Sequence, residues 1–591
     1  MGLPLAIKAH GDGDLALAEH HYKRALQQDE KSSVVYQNYG SLLRSIERYD
    51  DAEVIFLQGI SLFPRDIGIL TNYANFLRES PKPKIASSIF YYLQVFRLLL
   101  SKGSQSPLDK RVIQCLVNVI SILREQRLHH LTLKLIKDVL QRESTNPSLI
   151  LNLFLVLDEI DPSSVSTPFD TDELKNILLC SYEGVDVMCK LEILFGFANH
   201  ALKNDSPVEA YNHFEKGISL AEEVTPEDDN YDKVRKIVTC NGWNLGCTLL
   251  KLQDLRRGWV LFEHGLVTPA DGKQRWQRAL SKPFDSKELI LWRGESLSNK
   301  RILLLEEQAI GDVMMFCSLI SSILNEADRV GLFLSPRLKP IYQRTLANYI
   351  ESGHLLLFTK EDYKTNNIKP YDFDFQSPIG SICQYRFSSV NAYAPIVPCL
   401  LADPKSSSQL SNKYFPNGRN ACTTVGISWR GGGKGPRIKQ KSIEESLFFS
   451  FLQGLGSNIK FISLQYGKYK KLLSKWQRDG LDIVSDPSVN PLEDMDTWLS
   501  QVSLCDAVIS VANTTIHGAG GLNIPTMCLL SRHADWRWFD DSRVNRSYWY
   551  PSVSIARQSS TNSWDKAFEM TTEWVKNDFA QPNPCLSTLA L

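Results

Sequence analysis

The sequence has no excess of charge of either sign and no apolar run long enough to cross a membrane. Lys and Arg total 66, as do Asp and Glu, so the formal net charge is zero. This balance argues against a protein that binds nucleic acid through phosphate neutralisation, although it leaves room for a local anion site. The apolar run Ile89–Leu100 contains Arg97, and Leu3–Ile7 is too short for the core of a signal peptide. We therefore expect a cytoplasmic protein, free or at the membrane periphery, with no transmembrane segment and no nucleic-acid partner.

Cysteine pairs at metal-binding spacing are also missing. The 12 cysteines are scattered, with no Cys-x-x-Cys pair and no Cys/His cluster typical of zinc sites. Free thiols in a reducing compartment are the simplest interpretation. The acidic stretch Pro226–Asp232 lacks the glycine and the terminal glutamate of a calcium loop. We therefore expect no bound metal.

The first half of the chain carries a repeat with a period of about 34 residues. Small residues recur in register where two helices must approach closely, and large ones recur where a side chain fills the gap between helical hairpins. The residues in register are Ala18, Ala52 and Ala86; Tyr22, Phe56 and Phe90; Ala25 and Gly59; Gly40 and Ala74; and Leu43 and Leu77.

This pattern resembles the tetratricopeptide repeat (TPR) family, whose consensus is matched by Tyr36, Gly40, Leu43, Ala52, Phe56, Gly59 and Pro64. The match is strongest over Leu15–Leu100 and returns around Phe214, Gly246 and Phe262, whereas residues 105–200 are helical by pattern but irregular. The resemblance implies a TPR-like α-solenoid over residues 1–275. Its groove either binds a protein partner or packs only on the second half of the chain.

After about residue 285, short β-rich runs alternate with helical stretches, which predicts parallel sheets covered by helices. The predicted strands are Arg301–Leu305, Val330–Leu334, Leu355–Phe358 and Asp372–Phe375, then Val425–Trp429, Lys460–Leu464, Asp482–Val484, Ala507–Val511 and Thr526–Leu530. The polar segment Ser406–Arg419 is predicted to be a linker between two Rossmann-like α/β domains at residues 285–405 and 420–575. Ligands of such sheets bind at the carboxyl ends of the strands.

Two loops at such strand ends carry residues suited to chemistry. The loop after the first strand contains Gly311, which permits close backbone approach, and Asp312, which is either a helix N-cap or a functional carboxylate. The loop Arg430–Ser442 combines glycines with cations, which suits a diphosphate but also a solvated loop. Ser442 and Glu445 are predicted to form a capping box for the helix that follows.

Two further segments leave a structural and a functional interpretation open. Asn513, Thr514 and Thr515 precede His517 in the first turn of a glycine-rich helix, which suits an anion or a sugar, although a lone histidine is more often structural. The aromatic residues of Asp535–Tyr550 either stack on sugars or bases or seal the C-terminal tail onto the core. The sequence Asp372-Phe373-Asp374 looks like a metal-binding motif but is predicted to be structural, because it lies in a strand pattern.

Taken in order, these segments resemble the heptosyltransferase family (glycosyltransferase family 9) as found in bacterial TPR proteins. The matching landmarks are Trp292–Glu295, Glu307–Asp312, Val425–Gly431, Ser463–Gln465, Asn513–His517, Asp535–Trp538 and Trp549–Pro551. The resemblance implies a GT-B fold and an inverting, metal-independent transfer of a hexosyl or heptosyl group. The first α/β domain would bind a glycan, lipid or protein acceptor and the second a nucleotide-sugar, with no further cofactor.

The resemblance also implies roles for single residues. Asp312 matches the general base that deprotonates the acceptor. Residues implied to bind the nucleotide-sugar are Gln308, Gly311, Arg430, Gly431, Lys439, Lys441, Gln465, Asn513, Thr514, Thr515 and His517, with Lys439 or Lys441 neutralising the diphosphate. Ala512 stands where many relatives carry aspartate. The alternative hypothesis is therefore a non-catalytic TPR scaffold with a degenerate transferase domain.

Overall fold

A computed structural model describes the chain from residue 2 to residue 580. The exceptions are residues 13, 28–31, 81, 102–109, 127, 141–145, 161–169, 229, 267–283, 286, 395–399, 420–421, 433–436, 457, 533, 540–543 and 560–562. The described residues form two compact units. The first draws on Met1–His200 and Lys216–Lys236, and the second on Ala201–Glu215, Ile237–Val267 and Trp276–Leu591. Within the described ranges, no helix is both long and apolar enough to cross a membrane.

The chain before the first strand is helical. Its helices are α1 (Gly2–Gly11), α2 (Leu15–Gln27), α3 (Ser33–Ser45), α4 (Tyr49–Leu62), α5 (Ile67–Glu79), α6 (Ile85–Ser101), α7 (Lys110–Glu125), α8 (His129–Leu140), α9 (Pro147–Glu159), α10 (Thr171–Ser181), α11 (Val187–Lys203), α12 (Pro207–Glu222), α13 (Tyr231–Lys251) and α14 (Leu255–Phe262). In the first unit α1 packs on α2, α3 on α4, and α5 on α6. A Cβ atom on Gly40 would lie 2.7 Å from the Phe56 ring, so the small residue is needed where these helices meet. The predicted helical-hairpin repeats are confirmed.

The third hairpin departs from the predicted register. The linker between α3 and α4 is Ile46–Arg48, whereas the linker between α5 and α6 is Ser80–Lys84, which is two residues longer. Tyr92 is therefore fully buried at the position that Phe56 occupies in the preceding hairpin, and Phe90 is 57% exposed. The alignment of Phe90 with Phe56 is wrong by two residues.

The neighbouring small-residue position is shifted in the same way. Ser88 of α6 is fully buried, whereas Ala86 is exposed, so Ser88 takes the place predicted for Ala86. The Ser88 hydroxyl donates to the carbonyl oxygen of Ala74 at 2.7 Å, which satisfies a polar group inside the hairpin. The two-residue shift thus applies to the buried face of α6 as a whole.

A polar contact between hairpins also repeats. The Tyr39 hydroxyl donates to Glu19 at 3.3 Å, and the Tyr73 hydroxyl donates to Glu53 at 3.1 Å. Each glutamate also forms an ion pair with a cation in the linker after the helix that carries the tyrosine. Arg48 pairs with Glu19, and Lys84 pairs with Glu53. The glutamates and tyrosines keep the original period, while the cation moves by the two extra linker residues.

The second unit contains two parallel sheets. The first has β1 (Arg301–Leu305), β2 (Arg329–Phe333), β3 (Leu355–Phe358) and β4 (Phe375–Pro378) in the order β3-β2-β1-β4. Its helices are α15 (Ile310–Cys317), α16 (Ser321–Leu324), α17 (Lys339–Thr345), α18 (Ala347–Glu351), α19 (Lys360–Lys364) and α20 (Ile382–Arg386). The next helix, α21 (Pro404–Tyr414), packs on the helix Met495–Val502, which belongs to the second sheet. All strand pairs of the first sheet are parallel.

The second sheet has β5 (Thr423–Ser428), β6 (Ile459–Ser463), β7 (Ile483–Val484), β8 (Ala507–Val511), β9 (Thr526–Leu530) and β10 (Val553–Arg557), in the order β10-β9-β8-β5-β6-β7. Its helices are α22 (Arg437–Gln440), α23 (Glu445–Gly454), α24 (Lys470–Arg478), α25 (Met495–Val502), α26 (Thr514–Gly521) and α27 (Asp565–Lys576). Every residue of β8 and β9 is buried, because helices cover both faces of a parallel sheet. The predicted combination of a helical-repeat region with two Rossmann-like α/β sheets is confirmed.

Three details differ from the sequence prediction. The expected linker Ser406–Arg419 is largely helix α21, which begins with Pro404 and is capped by the Asp403 side chain. Its buried Leu410 and Tyr414 are spaced four residues apart on one face, a signal that the serine-rich composition conceals. Strand β4 begins where the predicted strand was expected to end, and β10 was not predicted.

The two-residue shift in α6 can be tested by a pair of substitutions. Tyr92→Ala should lower the free energy of unfolding by about 3–5 kcal/mol, because it empties a buried site. Phe90→Ala should change it by less than about 1 kcal/mol, because most of that ring is already in water. Urea unfolding followed by far-UV circular dichroism measures both, and the opposite ranking would restore the unshifted register.

Candidate functional site

The loops singled out in the sequence lie where the strand order of each sheet reverses. In the first sheet β1 lies between β2 and β4, and in the second β5 lies between β6 and β8. Connections leaving such neighbouring strands pass to opposite faces of the sheet and leave a crevice at its carboxyl edge. Glu306–Ala309 follows β1, Arg430–Gly432 follows β5, and Ala512–Asn513 follows β8. All three loops therefore lie where ligands of such sheets bind.

The first turns of α15 and α26 are in contact. Gly311 permits this contact, since a Cβ atom there would lie 3.0 Å from Cδ2 of His517 and 3.3 Å from Oγ1 of Thr514. The close backbone approach predicted for Gly311 is thus an approach to another helix of the same unit. Two helix N-termini, each with a partial positive charge, consequently lie beside the same small region.

Asp312 lies in this region and is buried, in the first turn of α15. Its Oδ2 accepts a hydrogen bond from the backbone N–H of Ala309 at 3.1 Å, which is a capping interaction. Its Oδ1 accepts from Nε of Arg537 at 2.5 Å. Asp312 is therefore not the N-cap that the sequence left open, because Ala309 occupies that position and Asp312 is the third residue of the helix. Its carboxylate caps the helix from there and, in addition, forms an ion pair with a residue of the other sheet domain.

Arg537 connects the segment after β1 with the loop after β5 through a chain of alternating charges. Its Nη1 lies 3.2 Å from Oδ2 of Asp535, and the same oxygen lies 2.7 Å from Nζ of Lys441. Its Nη2 donates to Oε1 of Gln308 at 2.9 Å. The order Asp312, Arg537, Asp535, Lys441 balances two carboxylates with two cations, so the chain carries no net charge.

The electrostatics of this chain follow from burial and close partners. Burial acts to raise the pKa of Asp535, but Lys441 and Arg537 outweigh it and hold that pKa well below the usual range. Burial acts to lower the pKa of Arg537, but Asp312 and Asp535 raise it well above its ordinary value. Both groups are therefore charged throughout the physiological range.

His517 lies beside this chain and is buried. Burial lowers the pKa of His517 to about 4, although the nearby Asp312 acts in the opposite direction. Its Nδ1 is 3.3 Å from the Tyr550 hydroxyl, within hydrogen-bond distance. At neutral pH the ring is therefore uncharged and offers either an N–H donor or a lone pair.

Two of the three amide side chains predicted to bind the donor, those of Gln465 and Asn513, hold the loops together. Oε1 of Gln465 accepts from the hydroxyl of Ser428 and from the backbone N–H groups of Trp429 and Arg430 at 2.9–3.2 Å. Asn513 is the N-cap of α26, and its Nδ2 donates to Oγ of Ser428 at 2.8 Å. These amides fix the backbone from which Arg430 projects into solvent.

The remaining predicted residues have different surroundings. Gly431 donates from its backbone N–H to Oγ of Ser442 at 3.1 Å and is buried. Thr515 is buried, and Thr514 is half-buried. The side chain of Lys439 lies outside the described part of the structure. The capping box predicted for Ser442 and Glu445 is wrong, because Glu444 is the N-cap of α23 and accepts from the N–H groups of Ser446 and Leu447.

The predicted structural role of the Asp372–Asp374 motif is consistent with its contacts. Oδ2 of Asp374 accepts from the backbone N–H of Arg301 at 2.8 Å and from its Nε at 3.2 Å. Asp372 ends a short 3₁₀ turn and accepts from the N–H of Lys369. Asp374 therefore holds the start of β1, and Asp372 stabilises the turn that precedes β4.

Sequence reasoning missed Arg537 and Asp535 as site residues, because they lie in an aromatic-rich segment. The aromatic rings there pack against one another, with Trp536, Trp538, Trp549 and Tyr550 all buried. The indole N–H of Trp549 donates to the carbonyl oxygen of Arg537 at 2.7 Å. A charged pair enclosed by tryptophans was the available signal, since a buried charge requires a partner.

The first unit contains a groove of about 580 Å³ on its hairpins. It is lined by the linkers that precede α4 and α6 and by charged residues that include Arg48, Asp51, Glu53 and Lys84. The polar contacts repeated between hairpins form part of its wall. The groove therefore offers charged and apolar surface together, with Phe76 and Leu77 at its base.

Comparison with known proteins gives distant similarities. No protein-family model matches the sequence. Protein FlbA of Caulobacter vibrioides is 24% identical over 331 residues, which are 54% of this chain and 52% of FlbA. The chain therefore spans about half the length of this curated relative.

Solved structures similar to the chain include TPR proteins and glycosyltransferases. A TPR protein from Parabacteroides merdae has a TM-score of 0.32 at 15% identity, covering 46% of this chain and 93% of that protein. A glycosyl transferase of family 9 from Veillonella parvula has a TM-score of 0.32 at 8% identity, covering 49% and 94%. The O-GlcNAc transferase of Thermobaculum terrenum has a TM-score of 0.27 at 11% identity, covering 79% and 92%. No role for a single residue follows from similarities this low.

The Asp312–Arg537 pair should contribute strongly to stability. Arg537→Met should lower the free energy of unfolding by about 3–5 kcal/mol, because it leaves buried carboxylates without their shared cation. Adding Asp312→Asn should restore part of this loss. The matched control is Arg301→Met, whose partner Asp374 is partly exposed and whose loss should cost less than about 1 kcal/mol. Equal losses for both arginines in chemical unfolding would contradict the predicted coupling.

The burial of His517 should make stability depend on pH. As the pH falls from about 6.5 to about 4, the unfolded chain binds a proton at this ring and the folded chain does not, so stability decreases. The loss over this window should be roughly 3 kcal/mol, and His517→Gln should remove it. Unfolding at several pH values measures the slope, and an unchanged slope in the variant would contradict the assignment.

Proposed function

We propose that the protein is a glycosyltransferase that moves a sugar from a nucleotide-sugar donor to a hydroxyl group of a glycan, lipid or protein acceptor. The observation that carries this proposal is the chain of charges at the carboxyl edges of two Rossmann-like sheets, in which Asp312 pairs with Arg537 and Arg537 is connected to Lys441 through Asp535. Acid–base chemistry and anion neutralisation are the two requirements of such a transfer. The ordered sequence resemblance to family 9 supplies the reaction class.

In this proposal Asp312 is the general base. The acceptor oxygen attacks the anomeric carbon while its proton passes to Asp312, and the bond between that carbon and the phosphate oxygen breaks. The electron pair leaves with the nucleoside diphosphate, so a single displacement inverts the configuration. Each Asp312 oxygen accepts one described hydrogen bond and carries two lone pairs, so the carboxylate retains capacity to accept a proton.

The leaving diphosphate requires cations near the second sheet. Arg430 is exposed beside the carboxyl end of β5, and Lys441 lies at the same loop. The N-terminus of α26 adds a partial positive charge. Because Asp535 balances Lys441 before the donor binds, a diphosphate would compete with this carboxylate for the ammonium group.

The helical hairpins of the first unit are assigned to the acceptor side of the reaction. Their groove combines charged and apolar surface, which suits a polypeptide segment or a protein partner. Selection of the acceptor would thereby be separated from the chemistry, which uses the loops of the sheets. The alternative is a scaffold without activity, and Ala512 is the feature that favours it.

The base assignment is tested by release of nucleotide from a panel of UDP-, ADP-, GDP- and CMP-sugars. Asp312→Asn keeps the shape of the side chain and should reduce turnover by about 10²–10⁴-fold, because it cannot accept the proton. Asp374→Asn is the matched control, since it alters another arginine-paired carboxylate of the same domain, and should leave turnover unchanged.

Three outcomes separate the hypotheses. Turnover lost in Asp312→Asn alone supports the proposal, whereas equal turnover in Asp312→Asn and wild type refutes the base. If no donor is turned over, calorimetry with the four nucleotides is decisive. Absence of binding by all four would favour the scaffold.

A further inference from the structure

The segment that carries Arg537 is supported by the last helix of the helical half. The guanidinium of Arg537 lies 4.4 Å from the centre of the Trp536 ring. The same indole contacts α14, with the Phe262 ring at 4.9 Å and the Trp259 ring at 5.7 Å from Trp536. Trp259 and Phe262 are almost fully buried. Arg537 is thus separated from α14 by a single aromatic side chain.

The backbone next to Arg537 is held in an unusual conformation. Phe539 has φ of 40°, in the left-handed region that a bulky side chain rarely adopts. Its ring is fully buried, 5.5 Å from Tyr393 and 5.7 Å from Trp549. Its carbonyl oxygen accepts from Nε2 of Gln253, which lies between α13 and α14, at 3.4 Å. Such a conformation persists when the surrounding packing fixes it, and sites of this kind cluster where function needs geometry.

The position of α14 is itself fixed by close packing on α13. A Cβ atom on Gly246 would lie 2.8 Å from the backbone nitrogen of Phe262. A Cβ atom on Gly258 would lie 2.8 Å from the side chain of Leu250. Neither position has room for a side chain, so the glycines allow α14 to pack closely on α13. Phe262 therefore has a defined position relative to α13.

An ion-pair cluster joins the end of α13 to the second sheet. Nζ of the buried Lys251 lies 2.7 Å from Oδ1 of Asp205, and Nε of Arg532 lies 3.1 Å from Oδ2 of the same carboxylate. Arg532 follows β9 and precedes the Arg537 segment. In agreement with these contacts, residues 237–267 cluster with the sheets and not with the preceding hairpins.

From these contacts we infer that α14 is part of the transferase site, and that Phe262 and Trp259 are positioning residues that hold Arg537 on Asp312 through Trp536. The inference rests on the proposed function for its catalytic consequence. Its structural part concerns the Arg537–Asp312 contact and holds independently of turnover. The helical half thereby contains two regions with different roles, because α14 positions a residue of the transferase site.

The test compares Phe262→Leu with Phe214→Leu. Both phenylalanines are fully buried in helices of the second unit, so both variants should lose similar stability. Selective ¹⁵N labelling of arginine reports the Nε–H group that Arg537 donates to Asp312, assigned by its loss in Arg537→Lys. Phe262→Leu should shift this signal and speed its exchange with water, whereas Phe214→Leu should leave it unchanged. Equal signals in both variants would overturn the inference.

Kinetics give a second measurement that a purely structural role would not move. Phe262→Leu should lower kcat by about 10–100-fold with a smaller change in the donor KM, because displacement of a catalytic group by about 1 Å has such an effect. In an Arg537→Lys background the same change should cause no further loss, since the placement of the guanidinium is already gone. If the kcat losses of Phe262→Leu and Arg537→Lys multiplied in the double variant, the inference would be overturned. If wild type shows no turnover, calorimetry with the four nucleotides decides the proposed function, and the ¹⁵N experiment alone decides the Arg537–Asp312 contact.

Discussion

The guanidinium of Arg537 is the constraint on which the second unit depends. It lies among Asp312, Asp535 and Gln308, and each contact comes from a loop at the carboxyl edge of a sheet. A buried charge is costly unless it is paired and hydrogen-bonded. The loops of both sheets must therefore meet in one arrangement, and Gly311 permits it by removing the side chain that would separate α15 from α26.

In the proposed reaction, helix capping and chemistry share one residue. Asp312 satisfies a backbone N–H at the start of α15 with one oxygen and faces Arg537 with the other. A helix start holds a carboxylate in a fixed orientation, which is what a base needs in order to meet its substrate. One carboxylate would thus serve both the helix start and the proposed reaction.

Strands with a nearly continuous apolar run could be predicted from the sequence, whereas elements defined by neighbours could not. The strands β1, β3, β8 and β9 have the predicted bounds, because apolar runs of this length have few alternatives. Helix α21 was not predicted because its serine-rich composition is typical of a linker. The shift in α6 was not predicted because a comparison at a fixed 34-residue period does not detect the longer linker before this helix. Both depend on tertiary packing.

The candidate site shows the same division. Strand ends marked the loops around Asp312 and Asn513, but not the direction of each side chain, and Gln465 and Asn513 are engaged by the loop backbone. Arg537 was not predicted as a site residue because its partners Gln308 and Asp312 are distant from it in the sequence. A pairing across two domains leaves no local pattern.

The contact between Gln253 and Phe539 joins residues separated by 286 positions. During synthesis α14 leaves the ribosome long before the Trp536 segment has been made. The side chains of Phe262 and Trp259 therefore lack, until then, the rings of that segment that contact them in the folded protein. Contacts of such high order form late in folding. A nascent chain therefore exposes this apolar aromatic surface until its C-terminal sheet has folded. A chain truncated before that point keeps the surface exposed, which makes it a target for chaperones and proteases.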